Sequence, residues 1–227
     1  MKIEILPAIL PKDFSELDEN ISLVKGLVKT VQIDICDGQF VPNATWPYKR
    51  LDDSFEKILR EEEGLPGWEN VSFEIDLMVN YPERIVEEWV TAGAHRIILH
   101  IESGGNIIEA IEKLQGRVEI GLALSMETPL SSLDPYIGKI QSIQLMGIDH
   151  IGFQGETFNS KVIDRVKEVH IVYPELPISV DGGVSLETGA LLIQAGVTRL
   201  IVGSAIFHSD NVIEAVHKFK RLNRDVL

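Results

Sequence analysis

The sequence lacks the features that would tie a chain to the cell exterior, a membrane or a polyanion. Cys36 is the only cysteine among 227 residues, so no internal disulfide can form, and the chain suits a reducing cytoplasm. No apolar run is long enough to cross a bilayer. The run over residues 5–10 is too short for a secretory leader, and Glu4 interrupts its approach. Basic residues are outnumbered, 21 against 35 acidic, which gives a formal charge of −14 and a pI near 4.8. An acidic surface rewards neither nucleic acid nor an anionic membrane, so neither is expected as a partner. A small anion is still admissible, because it needs only a local pocket of donors. The sequence also lacks linkers and low-complexity runs, and no glycine-rich turn follows its first strand-like segment.

What is present is alternation. Hydrophobic residues make up 44% of the chain, enough for a substantial core at one-domain length. Strands are predicted over residues 3–9, 31–35, 71–78, 96–101, 118–124, 140–146, 177–181 and 199–202. Helices are predicted from residue 14 behind an Asp13 cap, from Asp52 or Asp53, and over 81–92 and 106–114. A short helix is expected after Thr128-Pro129, and others over 159–169, 186–195 and 212–222, the last capped by Asp210 or Asn211. Eight strand–helix units with short joins predict one α/β domain over residues 1–227, a (β/α)8 TIM barrel. The runner-up is a doubly wound open sheet, which would want the missing glycine-rich turn.

The chemistry centres on the second strand. Val31, Ile33 and Ile35 take one face, while Gln32, Asp34 and Cys36 take the other. A mid-strand carboxylate is costly to bury without a partner or a role. Asp76 and Asp181 repeat the pattern near the C-terminal ends of the third and seventh strands, where this fold gathers its catalytic groups. An aspartate before Gly-Gly, such as Asp181, is by itself an ordinary turn residue; three in one place point to a site. They cannot all stay charged unpaired, so a cation sits among them, one keeps a proton, or a lysine or arginine comes in. Gln32 projects the same way and would offer its amide oxygen. Gln32, Asp34, Asp76 and Asp181 would then form an all-oxygen set suited to magnesium or manganese.

Glycines mark a second feature. Gly152-Phe153-Gln154-Gly155, Gly182-Gly183 and Gly203-Ser204 follow strands six, seven and eight. Each pair alone is common turn chemistry, but together they predict a phosphate held on bare backbone N–H groups, helped by a short helix start. Met78 and Met146 read as apolar lining over the substrate. Cys36 reads as lining rather than nucleophile, because no activating base is evident. His100 and Glu102 end the fourth strand and are expected to make structural hydrogen bonds; His150, just after strand six, is within reach of the site but reads as an ordinary loop histidine.

Six stretches together resemble the ribulose-phosphate 3-epimerase family, and the resemblance runs through nearly the whole chain. They are Pro7-Ala8-Ile9-Leu10, Asp34-Ile35-Cys36-Asp37-Gly38-Gln39-Phe40-Val41-Pro42-Asn43, Asp76-Leu77-Met78-Val79, Gly152-Phe153-Gln154-Gly155, Val180-Asp181-Gly182-Gly183 and Gly203-Ser204-Ala205-Ile206-Phe207. The resemblance implies the (β/α)8 barrel and the interconversion of ribulose 5-phosphate and xylulose 5-phosphate, a step of the pentose phosphate pathway. It also implies a divalent metal held by two histidines and two aspartates. By position, Asp34 and Asp181 match the family's acid/base aspartates, which also ligate metal, while Gln32 and Asp76 fall where its two metal-binding histidines stand. Ala8 stands where a substrate-contacting serine is usual, Cys36 replaces a methionine and Gln39 a histidine. The loop over residues 151–156 is one residue longer, with Gln154 for a glycine.

The resulting expectation is a cytoplasmic, homo-oligomeric epimerase of a ketose phosphate that works by two-aspartate proton transfer through an enediolate. The substrate would meet Ala8, Met78, Met146, Gly152, Phe153, Gln154, Gly155, Gly182, Gly183, Gly203 and Ser204. Without imidazole ligands, magnesium or manganese is favoured over zinc or iron, and the metal is not obligatory. The alternative is a non-catalytic sugar-phosphate-binding relative that has lost the metal site. Related barrel decarboxylases use an Asp-x-Lys-x-x-Asp arrangement, and Cys36 at the lysine position excludes that chemistry.

Overall fold

Short aliphatic strands, each followed by a segment with one apolar face, close here into a barrel. The computed structural model describes residues 3–49 and 52–225. Its strands are β1 (Glu4–Ile9), β2 (Thr30–Cys36), β3 (Ser72–Met78), β4 (Ala94–His100), β5 (Glu119–Leu124), β6 (Ser142–Met146), β7 (Ile178–Asp181) and β8 (Arg199–Val202). They pair in parallel in chain order, and β8 returns to β1, so the expected (β/α)8 TIM barrel is the fold.

The connections carry α1 (Phe14–Val24), α2 (Ser54–Leu59), α3 (Val86–Thr91), α4 (Ile107–Leu114), α5 (Lys161–Val172), α6 (Leu186–Ala195), α7 (Ser204–Phe207) and α8 (Val212–Asp225). Short polar side chains start several of them. Asp13 accepts from Glu16 N at 3.0 Å, Asn211 accepts from Glu214 N at 3.0 Å, and Ser185 and Thr188 form a reciprocal capping box. No described helix is long and apolar enough to cross a membrane.

Two details differ from the sequence expectation. The helix expected over 81–92 is broken into a 3-10 turn (Pro82–Arg84) and α3. Tyr81 sits at φ 55 ahead of Pro82, and proline has no N–H to extend a helical ladder backwards. The four-residue α7, directly after Gly203, is too short to leave an amphipathic signature.

The strands sort their residues by face. Ile33, Ile35, Phe73, Ile75, Leu77, Ile97 and Leu99 join one continuous apolar layer with Leu17, Trp89, Ile111 and Val166 from the helices. The inner face holds only small separate apolar groups, such as Leu6 with Ala8 and Ile201, and Cys36 with Val41 and Met78. Between them the interior is polar. Gln32, Asp34, Glu74, Asp76, His100, Gln144, Ser179 and Arg199 are all buried. Gly121 lets the neighbouring strands pack closely: a Cβ there would meet Ile98 Cδ1 at 2.5 Å and Ser142 Oγ at 2.7 Å.

Toward the N-terminal end of the strands, Glu74 is wholly enclosed between two arginines. Arg96 donates to it at 2.6 Å, and Arg199 donates to the same carboxylate oxygen. Arg96 also pairs with Glu119, and Arg199 with Glu4 at 3.3 Å. Two cations and three carboxylates thus close this end. Removing one member of a buried ion cluster strands the others in a low-dielectric interior. Glu74→Ala is therefore expected to destabilise the protein by about 3–5 kcal/mol, read as a lower urea midpoint at unchanged slope. A loss below about 1 kcal/mol would show that the arginines find other partners.

Candidate active site

The site is built where β2, β3, β4, β6 and β7 end. β2 and β3 run in register, so Asp34 lies directly beside Asp76, and β7 closes with Asp181. Parallel pairing with matched registers sends both side chains inward together.

The loop after β2 is held by its own polar residues. Asp37 Oδ1 accepts from the backbone N–H groups of Gln39 at 2.8 Å and Phe40 at 2.9 Å, and its Oδ2 accepts from Asn80 N at 2.8 Å. Thr45 Oγ1 accepts from Cys36 N at 2.8 Å and donates to Asp34 O at 2.9 Å, which fixes the backbone that carries Asp34. Asn43 reaches across the mouth and donates to Gly152 O at 2.9 Å.

At the centre, one amide clasps two carboxylates. Gln32 Nε2 donates to Asp34 Oδ1 at 2.8 Å and to Asp181 Oδ2 at 2.9 Å. The expectation that Gln32 would turn its oxygen toward the aspartates is corrected: its amide nitrogen meets both carboxylates. Gln32 Oε1 is left buried without a hydrogen-bond partner. Asp76 is held separately. His100 Nε2 lies 3.0 Å from its Oδ1, and Gln144 Nε2 donates to its Oδ2 at 2.9 Å.

Burial and mutual repulsion set the electrostatics. Burial, then Asp181 and Asp76, hold the Asp34 carboxyl well above the usual carboxylate range. Burial and then Asp76 push Asp181 up to about 7, against the lowering effects of Gln32 and His100. For His100, burial pulls the imidazole pKa down, but the adjacent Asp76, with Glu102 and Asp181 farther off, raises it overall. No lysine or arginine pairs with the three aspartates among the described residues. Of the three ways to relieve them, a shared proton and a bound cation remain.

The donors fit a cation. Asp34, Asp76 and Asp181 each bring an oxygen within 4.8 Å of the others. A hard divalent ion suits such a set.

Above the aspartates opens a cleft. Asp34, Asp181, Ala8, Met78 and Met146 form its floor and walls. Gly152, Phe153, Gln154, Gly155, Gly182, Gly183, Gly203 and Ser204 line it from the other side, so all the expected substrate residues meet in one place. Gly183 is required there, while Gly203 leaves space that the Gln154 side chain fills. A Cβ on Gly203 would stand 2.9 Å from Gln154 Nε2, and one on Gly183, at φ +65, would stand 2.7 Å from Phe158 Cα. Gln154 crosses to donate to Ala8 O at 3.2 Å.

The bland readings hold for several residues. Cys36 is buried, and burial with Asp34 and Asp76 raises its thiol pKa far from the thiolate range. Glu102 accepts from Ser125 N at 2.8 Å, and the exposed His150 lies 3.6 Å from Glu156. Leu10, Ile148, Glu156, Val184 and Ile201 also line the cleft and were not foreseen. Nor was Gln144, whose signal was a polar side chain two residues before Met146 on the same strand face.

With this geometry in hand, comparison with known proteins agrees along the chain. The model of the ribulose-phosphate 3 epimerase family matches residues 4–207. Ribulose-phosphate 3-epimerase from Bacillus subtilis is 31% identical over 226 residues, covering 96% of this chain and 98% of that protein. Its namesake from Escherichia coli is 29% identical, covering 95% and 94%. The structure of 3-hexulose-6-phosphate synthase from Salmonella typhimurium superposes with a TM-score of 0.71 over the whole of both chains at 16% identity, a likeness of fold. A barrel of this topology, matched along its length, belongs to the ribulose-phosphate 3-epimerase family, a family of carbohydrate isomerases.

Proposed function

We propose that the chain epimerises a ketose phosphate at the carbon next to its ketone, with ribulose 5-phosphate and xylulose 5-phosphate as the pair. The observation that carries this reading is the clasp of Asp34 and Asp181 by one amide beneath a glycine-walled cleft. Epimerisation needs a base on one face of the reacting carbon and an acid on the other. Gln32 occupies one oxygen of each aspartate, which leaves the second oxygen of each for proton transfer. One carboxylate takes the C3 proton, giving an enediolate, and the other, protonated, returns a proton to the opposite face. The two then exchange protonation states, so the reverse reaction is equally served. Raised carboxyl pKa values suit this work, because one member must hold a proton near neutrality.

Asp34, Asp76 and Asp181 would hold the divalent cation, magnesium or manganese, whose Lewis acidity offsets the enediolate charge. The chain's own part is to keep those oxygens converged and water out. The phosphate would lie on the backbone N–H groups of Gly183, Gly203 and Ser204. A sugar-phosphate-binding protein without turnover is the outcome to separate from this one.

Three measurements test the reading. Crystals soaked in phosphate or sulfate should show the anion at Gly183, Gly203 and Ser204, and an empty site at high anion concentration would count against a phosphorylated substrate.

Asp34→Asn and Asp181→Asn should each cut epimerisation by roughly 10²–10⁴-fold, with phosphate affinity little changed. In deuterium oxide each single variant should still wash label into the substrate from its intact face. Full activity in Asp34→Asn would end the two-aspartate mechanism, and tight binding without exchange in wild type would favour the binding-protein reading.

The third measurement is pH dependence. Both aspartates are raised above the unfolded value, so between about pH 4 and pH 7 the native state holds more protons than the unfolded chain. Stability from this pair is therefore lost as pH rises through that window. In a chelator, the drop in melting temperature between pH 5 and pH 7.5 should be smaller in Asp181→Asn than in wild type, and manganese should restore wild type at pH 7.5. Identical pH profiles would rule out the shared proton.

A further inference from the structure

His100 does more than fill the end of β4. Its ring is fully buried and stacks at a tilt on Phe40, with centroids 5.3 Å apart. Among the described residues Asp76 is its hydrogen-bond partner, at 3.0 Å from Nε2, while Nδ1 is buried without one. A histidine placed only for structure normally has both nitrogens satisfied. Here one nitrogen is left orphaned while the other is aimed at a site carboxylate.

The second donor on Asp76 is also aimed. Gln144 on β6 reaches Asp76 Oδ2 with its nitrogen at 2.9 Å. Ser179 on β7 has its hydroxyl 3.4 Å from Gln144 Oε1, which favours the orientation that turns the amide nitrogen toward Asp76. His100 and Gln144 therefore approach the two oxygens of one carboxylate from two different strands. A carboxylate has about four acceptor positions. Two are taken, one on each oxygen, and one Asp76 oxygen lies within 4.8 Å of an oxygen of Asp34 and of Asp181.

We propose that His100 is a positioning residue: with Gln144, it locks the Asp76 carboxylate so that its remaining lone pairs face Asp34 and Asp181 and complete a seat for a hard divalent cation. The imidazole acts through Asp76 and does not itself meet the ion. This inference rests on the metal reading of the same site and adds to it the two residues that set its geometry. Donors that orient a ligating carboxylate typically change metal affinity by about 10–100-fold when removed.

The test is manganese(II) titration of substrate-free protein, with free aqua ion followed by electron paramagnetic resonance. Inorganic phosphate affinity is measured alongside, as a readout that a disturbed fold would also move. His100→Leu and Gln144→Leu should each weaken manganese binding by about 10–100-fold and leave phosphate binding unchanged. His100→Gln, whose amide nitrogen can stand near the place of Nε2, should bind manganese close to wild type. If His100→Leu does not fold, Gln144→Leu and His100→Gln decide the matter. Equal affinity in wild type and in the leucine variants would overturn this inference while leaving the metal reading intact. So would His100→Gln binding as weakly as His100→Leu, because the hydrogen bond would then not be what matters. Absence of manganese binding in wild type would overturn the metal reading and this inference together.

Discussion

Everything at the C-terminal end of this barrel answers to one constraint: three carboxylates, two buried and one half-buried at the cleft, crowd together, and among the described residues no lysine or arginine pairs with them. Bare, they would repel one another and lack the water that normally solvates them. The chain meets the constraint with neutral or polarisable donors. Gln32 bridges two of the acids, while His100 and Gln144 hold the third. None of the amides cancels charge outright. No guanidinium fixes their charge, as an arginine does at the other end of the interior.

The opposite end of the same interior solves a similar problem differently. Glu74 sits two residues before Asp76 on one strand, yet it is neutralised by Arg96 and Arg199. A buried carboxylate between two guanidiniums is fixed in charge. One strand thus carries an acid locked between guanidiniums and one held by an imidazole and an amide, a single pleat apart. The difference lies in which partners β4, β6 and β8 aim at each acid. The outer layer of Ile33, Ile75 and Leu77 against the helices supplies the hydrophobic stabilisation that lets the inside be polar.

The barrel was legible because strand and helix patterns alternate with short joins, and because Asp34, Asp76 and Asp181 break an otherwise aliphatic phase. The glycine pairs after three consecutive strands were likewise readable as a cleft wall. The less legible parts depend on contacts between distant strands. Periodicity could place Gln32 inward but not say which end of its amide would meet Asp181, 149 residues away. His100 was read as making a structural hydrogen bond, and its partner, an acid of the site, was hidden because the pairing crosses from β4 to β3. The helix expected over 81–92 failed for a local reason, the left-handed Tyr81 ahead of Pro82.

Barrels of this kind are often described as a stable body bearing independent loops. Here the loops are not independent. Asp37 binds the backbone at Asn80, and Asn43 binds the backbone at Gly152, so the segments after β2, β3 and β6 are stitched into a rim. Val41 lies so close to Gly152 that a Cβ there would collide with it at 2.7 Å. An insertion or exchange in one of these loops would have to be matched in the others. Divergence at this mouth is therefore constrained to move by coordinated changes across separated stretches of sequence, rather than by swapping one loop at a time.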